Sequence, residues 1–508
     1  MKKIAKYILP LFIFALLASC EKGLDGLNRN RTSPTSIDPV FQLNNAILNT
    51  SFPVASLIFD IGIVQQIVSP NGGVLAGANF NVDNRGLTNT VWPSYYRNVI
   101  RNTRDVISRT KSATDRTNLY NMARILQAYA FMILTDEYGE IPYFEGGIGY
   151  TDQIFFPKYD PQKNIYDDII KELTEASAAL SATAKIETGD LLYSGDIAKW
   201  KKFGYSLLLR AGMRLSKIDQ TKAQSTVQAA VAGGVILVNA DNAYMRHDNN
   251  YQHPIGNTLN ATEAANFYLT KPFVDFLKNS NDPRLSAIAI RYVGATSGPT
   301  QTPANGSTNP AQQIGMPMGK DNATVVAAAT ADGLVSFYEY SQVDRRRLAK
   351  TTAPNFFVTA AQTNLLLAEA RQRGWITTGT VDGYYNAGVR AHMEQMAIHD
   401  AGSAISSTAI DNYLAANPFV PANALEQINT QYWVASFLNG PEAFANFRRS
   451  GFPNLAPNPY PGKEITGAFI RRLSYPTTEI SSNSANVQEA ISRQGPDNLD
   501  TRVWWDKQ

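Results

Sequence analysis

Cysteine is nearly absent from this 508-residue chain, Cys20 being the only one. Disulfide frameworks, thiol redox pairs and cysteine-based zinc sites are excluded together. Histidine is scarce too: His247, His253, His392 and His399 show no His-Glu-x-x-His spacing, which leaves zinc without a ligand set. No Gly-x-Gly-x-x-Gly follows a strand-like run, and neither Gly-Lys-Ser/Thr nor Gly-x-Ser-x-Gly occurs, so nucleotide binding and serine hydrolysis lack their usual motifs. An excess of one charge is also missing. The 46 basic residues exceed the 43 acidic ones only by as many as the lysines at positions 2, 3 and 6, whereas a nucleic-acid binder shows a basic excess or stripe.

What is present starts at the N-terminus. Lys2, Lys3 and Lys6 precede an apolar run from Tyr7 to Ala18, shorter than the roughly 20 residues of a membrane-spanning helix and typical of a cleaved signal. Its ending, Leu17-Ala18-Ser19-Cys20, resembles the lipobox of bacterial lipoproteins. That resemblance implies a signal peptide over 1–19 and lipid attachment at Cys20, where each buried acyl methylene contributes about 0.8 kcal/mol and several chains anchor firmly. Residues 20–40, polar with Pro34 and Pro39, read as a flexible tether. Glu21, Lys22 and Asp25 are the charged residues placed to act as a sorting patch. Residues 41–508 are expected to form a single domain, with 44% apolar and 10% aromatic residues over the chain to fill a large core.

Helical periodicity dominates that body. It is expected from Phe41 to Ile67, from Trp92 to Ile107, along Leu119, Met122, Ile125, Leu126, Tyr129 and Ile133, after Asp160-Pro161, and along Trp200, Phe203, Leu207, Ala211 and Leu215. It returns after Phe356, over Leu365–Arg373, Tyr384–Met396 and Ala424–Leu438, with Gly374 and Gly440 at expected C-caps. Antiparallel hairpins bury all these stripes with short connections. Between the two series, residues 234–345 carry many turn-forming residues around one helical stretch at 263–279, and residues 70–90 form a long Gly- and Asn-rich loop. The fold class is therefore mainly α, helix hairpins plus long irregular loops.

Several segments, in order, carry a family resemblance. Ile125-Leu126-Gln127-Ala128-Tyr129-Ala130-Phe131 followed by Thr135-Asp136-Glu137-Tyr138-Gly139-Glu140-Ile141-Pro142-Tyr143 resembles the "LxAxxF…TDxYGDIPY" signature of SusD/RagB-type lipoproteins. Tyr159-Asp160-Pro161-Gln162, Asp190-Leu191 with Lys199-Trp200 and Arg210, Asn281-Asp282-Pro283-Arg284-Leu285 and Leu367-Ala368-Glu369-Ala370 continue it. Arg448-Arg449-Ser450-Gly451, Arg471-Arg472-Leu473, Tyr475-Pro476 and Trp504-Trp505 resemble the C-terminal motifs of its SusD-like branch. The resemblance implies a tetratricopeptide-like scaffold with irregular segments forming a ligand face. It also implies an outer-membrane protein, outward-facing, that captures a nutrient for a SusC-like TonB-dependent transporter. An oligosaccharide is the first expectation for that nutrient and a peptide the alternative; a secreted glycan hydrolase and a protein-binding scaffold are further readings.

No catalytic constellation is visible, and non-enzymatic binding is expected. Asp136 and Glu137 are adjacent near a helix end, unlike the separated carboxyl pair of a glycosidase, and read as hydrogen bonding across the turn at Gly139 and Pro142. Arg210 and Arg214 share a helical face and are expected to pair with carboxylates of a neighbouring helix. Arg345-Arg346-Arg347, Arg448-Arg449 and Arg471-Arg472 read as packing and salt-bridge residues. No cofactor is indicated, although oxygen-rich loops leave a structural calcium open. Sugar rings need flat aromatic faces and planar hydrogen-bonding groups, which points to Phe80, Asn81, Tyr251 and His253, and then to Asn249, Asn250, Tyr292 and Tyr338, all on the irregular segments.

Overall fold

A computed structural model describes residues 37–507. The signal peptide, Cys20 and most of the expected tether lie outside the described residues. Helix α1, Pro39–Leu48, starts inside the last part of the expected tether, because Asp38 caps it by accepting from the Val40 N–H and Pro39 suits a first turn.

The expected loop at 70–90 ends early. Helix α2, Arg85–Ser94, leads through a π-helical turn at Tyr95–Ile100 into α3, Arg101–Thr110. Asn84, Gly86 and Asn89 look like loop residues in the sequence, yet Thr88, Val91 and Trp92 supply a buried stripe. Helix α4, Thr117–Tyr138, is buried on nearly every side, as a central helix with apolar residues all round must be. It stops at Gly139, whose φ of +82° suits glycine and where a Cβ would lie 1.7 Å from Gln494 Oε1.

Helices α5, Gln162–Ala179, α6, Ile197–Arg214, and α7, Gln220–Gly233, follow as successive neighbours in contact. Asp196 and Asp219 cap α6 and α7 by accepting from the N–H groups of Lys199 and Lys222. After the irregular part, which holds α8, Lys271–Asn279, the second series comprises α9, Ala360–Gln372, α10, Val381–His399, α11, Ala424–Ala435, and α12, Gly440–Ser450. Helix α9 contacts α6, α10 and α11, and α12 returns to α4. The two series are thereby closed around one cluster of buried side chains running from Val40 to Trp505.

Four expectations are corrected here. The stretch from 263 to 270 is a turn and a short strand, not helix; Thr270 caps α8 and Lys271 begins it. Residues 354–358 form a strand, consistent with the β-forming pair Phe356-Phe357 and Val358, and helix begins at Ala360. Gly440 opens α12 instead of capping α11. The proline-rich tail contains a further helix, α13, Ser484–Gln494.

Among the described residues, short strands form three small antiparallel sheets. Strand β1, Ile67–Val68, pairs with β3, Tyr268–Leu269, and β2, Ala243–Arg246, pairs with β7, Pro354–Val358. Strand β4, Ala289–Tyr292, lies between β5, Gly306–Ser307, and β6, Gln342–Val343. Two satellite clusters sit under these segments, one around Tyr268, Met316 and Tyr340 and one around Ile290, Tyr292 and Ala295.

Candidate functional site

The signature at the end of α4 is where the chain's distant parts are fastened. Asp136 accepts hydrogen bonds from Arg214 Nε at 3.1 Å, Trp505 Nε1 at 2.9 Å and the Tyr166 hydroxyl. Its main-chain carbonyl accepts from Arg448 Nη2 at 2.7 Å, and the Glu137 carbonyl accepts from the Leu473 N–H at 2.8 Å. Arg472 donates to the Tyr138 carbonyl and to Asp497, while Arg493 pairs with Glu140 at 2.7 Å. The expected hydrogen bonding of Asp136 and Glu137 across the turn is not what the carboxylates do: Thr135 Oγ1 makes that bond to the Gly139 carbonyl, Asp136 reaches α5, α6 and the C-terminal tail instead, and among the described residues neither Glu137 carboxylate oxygen has a hydrogen-bond partner.

Arg214 also bridges to Glu442 at 2.6 Å, as expected for a carboxylate on a neighbouring helix. Burial alone would raise Glu442, and Arg210 with Arg214 hold it below the usual carboxylate range. Burial would raise Glu369 as well, but Arg449 and Arg373 outweigh it and bring the carboxyl down to about 2. Arg449 reaches both Glu369 oxygens at 2.7 Å. Asp136, Glu369 and Glu442 are all engaged by arginines inside the core.

The irregular segments distribute the sequence-derived ligand residues over three places. Phe80 is only 2% exposed and packs edge-on against Tyr460 with ring centres 4.9 Å apart. Asn81 is buried at φ +51°, and its carbonyl accepts from the Glu464 N–H. These two pin a loop to residues 458–464, so the structure gives them a packing role.

Tyr251, by contrast, is 60% exposed. It stands beside exposed Asn249 and Asn250 in a turn closed by Asp248, whose carboxylate accepts from the N–H groups of Asn250 and Tyr251. His247 donates from Nδ1 to the Tyr251 carbonyl at 2.6 Å and accepts at Nε2 from Ser51 Oγ at 2.7 Å, an assignment of the neutral tautomer made from these partners. His253 caps the short helix Pro254–Asn260, accepting from the Gly256 N–H. Burial, then the neighbouring His247 and His399, push it down to about 3.

Tyr292 is buried, its hydroxyl accepting from Arg345 Nη2 at 3.1 Å with the guanidinium carbon 5.4 Å from its ring centre. Half-buried Tyr338 stacks on Phe337 at 4.2 Å and packs with Tyr292. Arg345 Nη1 donates to the Leu259 carbonyl, linking this pair to the helix that His253 caps. Among the described residues, no hydrogen bond or ring contact joins Phe80 and Asn81 to either group.

Sequence reasoning missed the open clefts. One of about 420 Å³ combines Tyr385, Tyr413 and Phe276 with Asn417, Asn423, Gln427 and Asn454, the aromatic and amide mixture that suits polar rings. The amide spacing on α11 was a visible signal, but the contribution of Asn454 was not. Another, of about 510 Å³, lies between Glu140, Lys163, Arg493 and Trp504. Behind His253, His399 and Asn355 a small cavity of about 30 Å³ offers room for one water. Among the described residues, no group of three or more His, Cys, Asp or Glu side chains is placed to hold a metal ion.

Residues 30–476 match the SusD-like_2 family, described as "Starch-binding associating with outer membrane". Over 93% of its length the chain is similar to the whole of a solved chitin-binding protein, with 29% identity and a TM-score of 0.81. A structure named "Bacteroidetes AC2a SusD-like" is similar over 93% of this chain and 100% of its own, at 25% identity and a TM-score of 0.80. A chitin-binding SusD homolog from Flavobacterium johnsoniae shares the fold, at 24% identity and a TM-score of 0.75, covering 92% of this chain and 98% of that one. No curated protein matches the chain. The mainly α, tetratricopeptide-like architecture of hairpins and irregular loops is thus the SusD-like one, and the chain belongs to the SusD-like family.

Proposed function

We propose that this protein is a non-catalytic, lipid-anchored outer-membrane lipoprotein that captures an oligosaccharide outside the cell and hands it to a SusC-like TonB-dependent transporter. The observation that carries the reading is the family match over residues 30–476 together with the similarity, at 29% identity, to a chitin-binding protein. The occupied state of Asp136, Glu369 and Glu442 supports binding without hydrolysis, since each is engaged by arginines inside the core.

The ligand face we assign is the irregular one. Tyr251 is the stacking residue, with Asn249 and Asn250 in the same turn; His253 holds that turn's far side, Tyr292 and Tyr338 form a separate aromatic pair on the same irregular part, and Phe80 and Asn81 pin a different loop. A sugar's C–H face stacks on an aromatic ring and its hydroxyls take paired donors and acceptors from amides. The test is a binding screen of the purified protein against chitin-derived and starch-derived oligosaccharides and against peptides, with product analysis alongside. Binding of a glycan without cleavage is expected. Product exceeding the protein in amount overturns the non-catalytic reading, and binding of peptides alone overturns the glycan.

A further inference from the structure

Among the described residues, four exposed aromatic side chains crowd into one loop. Phe144, Tyr150, Phe155 and Phe156 show 49%, 90%, 72% and 64% of their surfaces to solvent. The loop is held at its base and presented outward. Arg104 of α3 donates to the carbonyls of Tyr143 at 2.6 Å and Gly146 at 3.2 Å. Glu145 accepts from the Lys158 N–H, and Asn483 and Asn486 donate to the carbonyls of Pro157 and Phe156. Gly147 is pressed so closely on the start of α3 that a Cβ there would lie 2.7 Å from Ile100. A concentration of exposed aromatics on a fixed base marks a contact surface.

The surroundings favour an anionic lipid as the contact. Arg101 is exposed beside Gly147, Arg97 is exposed one helical turn before it, and Lys158 is exposed at the loop's end. Among the described residues, none of the three makes a salt bridge, whereas the nearby acids Glu145 and Asp152 are each hydrogen-bonded within the loop region. The location agrees. Farther along α3, Arg109 donates to the carbonyl of Ile37, where the described chain begins. Arg101 and Arg109 are separated by roughly 12 Å of helix rise, and the chain from Cys20 to Ile37 spans at most about 60 Å however it runs. The aromatic loop is therefore on the part of the body from which the chain departs toward Cys20.

We propose that loop 144–156, with Arg97 and Arg101, is a membrane-interface surface that settles among anionic lipid headgroups beside the anchor. This goes beyond the proposed function and rests on its lipoprotein reading only for the nearness of a membrane. Tyrosine and phenylalanine insert their rings at the headgroup boundary, and arginine meets the phosphates. A lipid on a tether alone leaves the body free to turn, and this second contact gives it one orientation.

The experiment places a reporter in the loop of the acylated protein. Phe155→Trp is reconstituted in phosphatidylcholine and phosphatidylglycerol vesicles whose acyl chains are brominated, with the unsubstituted protein as background. The added tryptophan emission is expected to shift to the blue and to be quenched, and Arg97→Gln with Arg101→Gln to weaken both effects and their salt dependence. Emission that stays solvent-like and unquenched overturns the proposal. So does a blue shift that appears only on adding the purified transporter, which assigns the loop to a protein contact. The intact mass of the mature protein tests acylation separately: if no acyl mass is present, the lipoprotein reading fails while added vesicles still test the loop.

Discussion

Arginine carries much of the sequence signature, and its partners explain why those positions are charged at all. Arg449 is 1% exposed and holds Glu369, itself 1% exposed, with two hydrogen bonds. Replacing Arg449 with Ala leaves a buried carboxylate without its main partner and is expected to cost roughly 3–5 kcal/mol in urea unfolding at neutral pH. The pH dependence has two limbs. Glu369 is depressed to about 2, so its contribution is present above its unfolded value of 4.5 and is lost as pH falls from there through about 2. Asp60, at the start of the buried turn Asp60–Ile63, goes the other way: it shares a buried site with Glu137, burial raises both, and stability is therefore greatest where the pair is protonated and declines as pH rises above the unfolded carboxylate values. Asp60→Asn should therefore unfold at higher urea than the wild type at pH 8, with the gap closing toward pH 4; a gap independent of pH would contradict this account. In the loop that Phe80 pins to Tyr460, Phe80→Ala should cost roughly 3–5 kcal/mol as a core truncation. Tyr251→Ala should leave the melting temperature in place and weaken ligand binding. A thermal melt and a titration on each variant separate the two roles, which the sequence left joined because both residues sit on Gly- and Asn-rich loops.

At the scale of elements, the end of α4 is the fastening point for the tail. Gly139 has a positive φ, and the Gln494 side chain of α13 occupies the space where a Cβ would go, Gln494 Oε1 accepting from the Glu140 N–H at 2.7 Å. Gly139→Ala should cost roughly 1–3 kcal/mol and should loosen α13 ahead of the rest, visible as faster hydrogen exchange over 484–494. Equal protection in both proteins would remove this role. The long helices were legible because each repeats apolar residues every three or four positions over several turns, as Ile165, Ile169, Leu173 and Ala176 do on α5. The start of α2 and the whole of α13 were not. Helix α13 buries only Val487 and Ala490, and such short stripes become helical through contacts to distant residues that local periodicity does not contain. The same limit explains 354–358, where pairing with β2 decides for strand.

For the whole molecule, a core that runs from Val40 to Trp505 makes the two helical series and the tail one packed body, with the irregular segments laid on it. The sequence motifs anticipated that architecture because they are its fastening residues; the geometry of the proposed ligand face depends on loop positions set by tertiary contacts such as Arg345 with Tyr292. Two expectations belong to this scale. Cys20→Ala should release the protein from membranes into the soluble fraction, and its retention would contradict a lipid anchor. Affinity purification of the native protein should recover a SusC-like channel, and recovery without one would contradict the partner. The most direct test of glycan capture is a calorimetric titration of the purified protein with chitin-derived oligosaccharides, run beside starch-derived ones and analysed afterwards for products. Saturable heat with at least one of these glycans, all of it recovered uncleaved, is the predicted result; no heat with any glycan, or cleavage beyond the amount of protein, contradicts it.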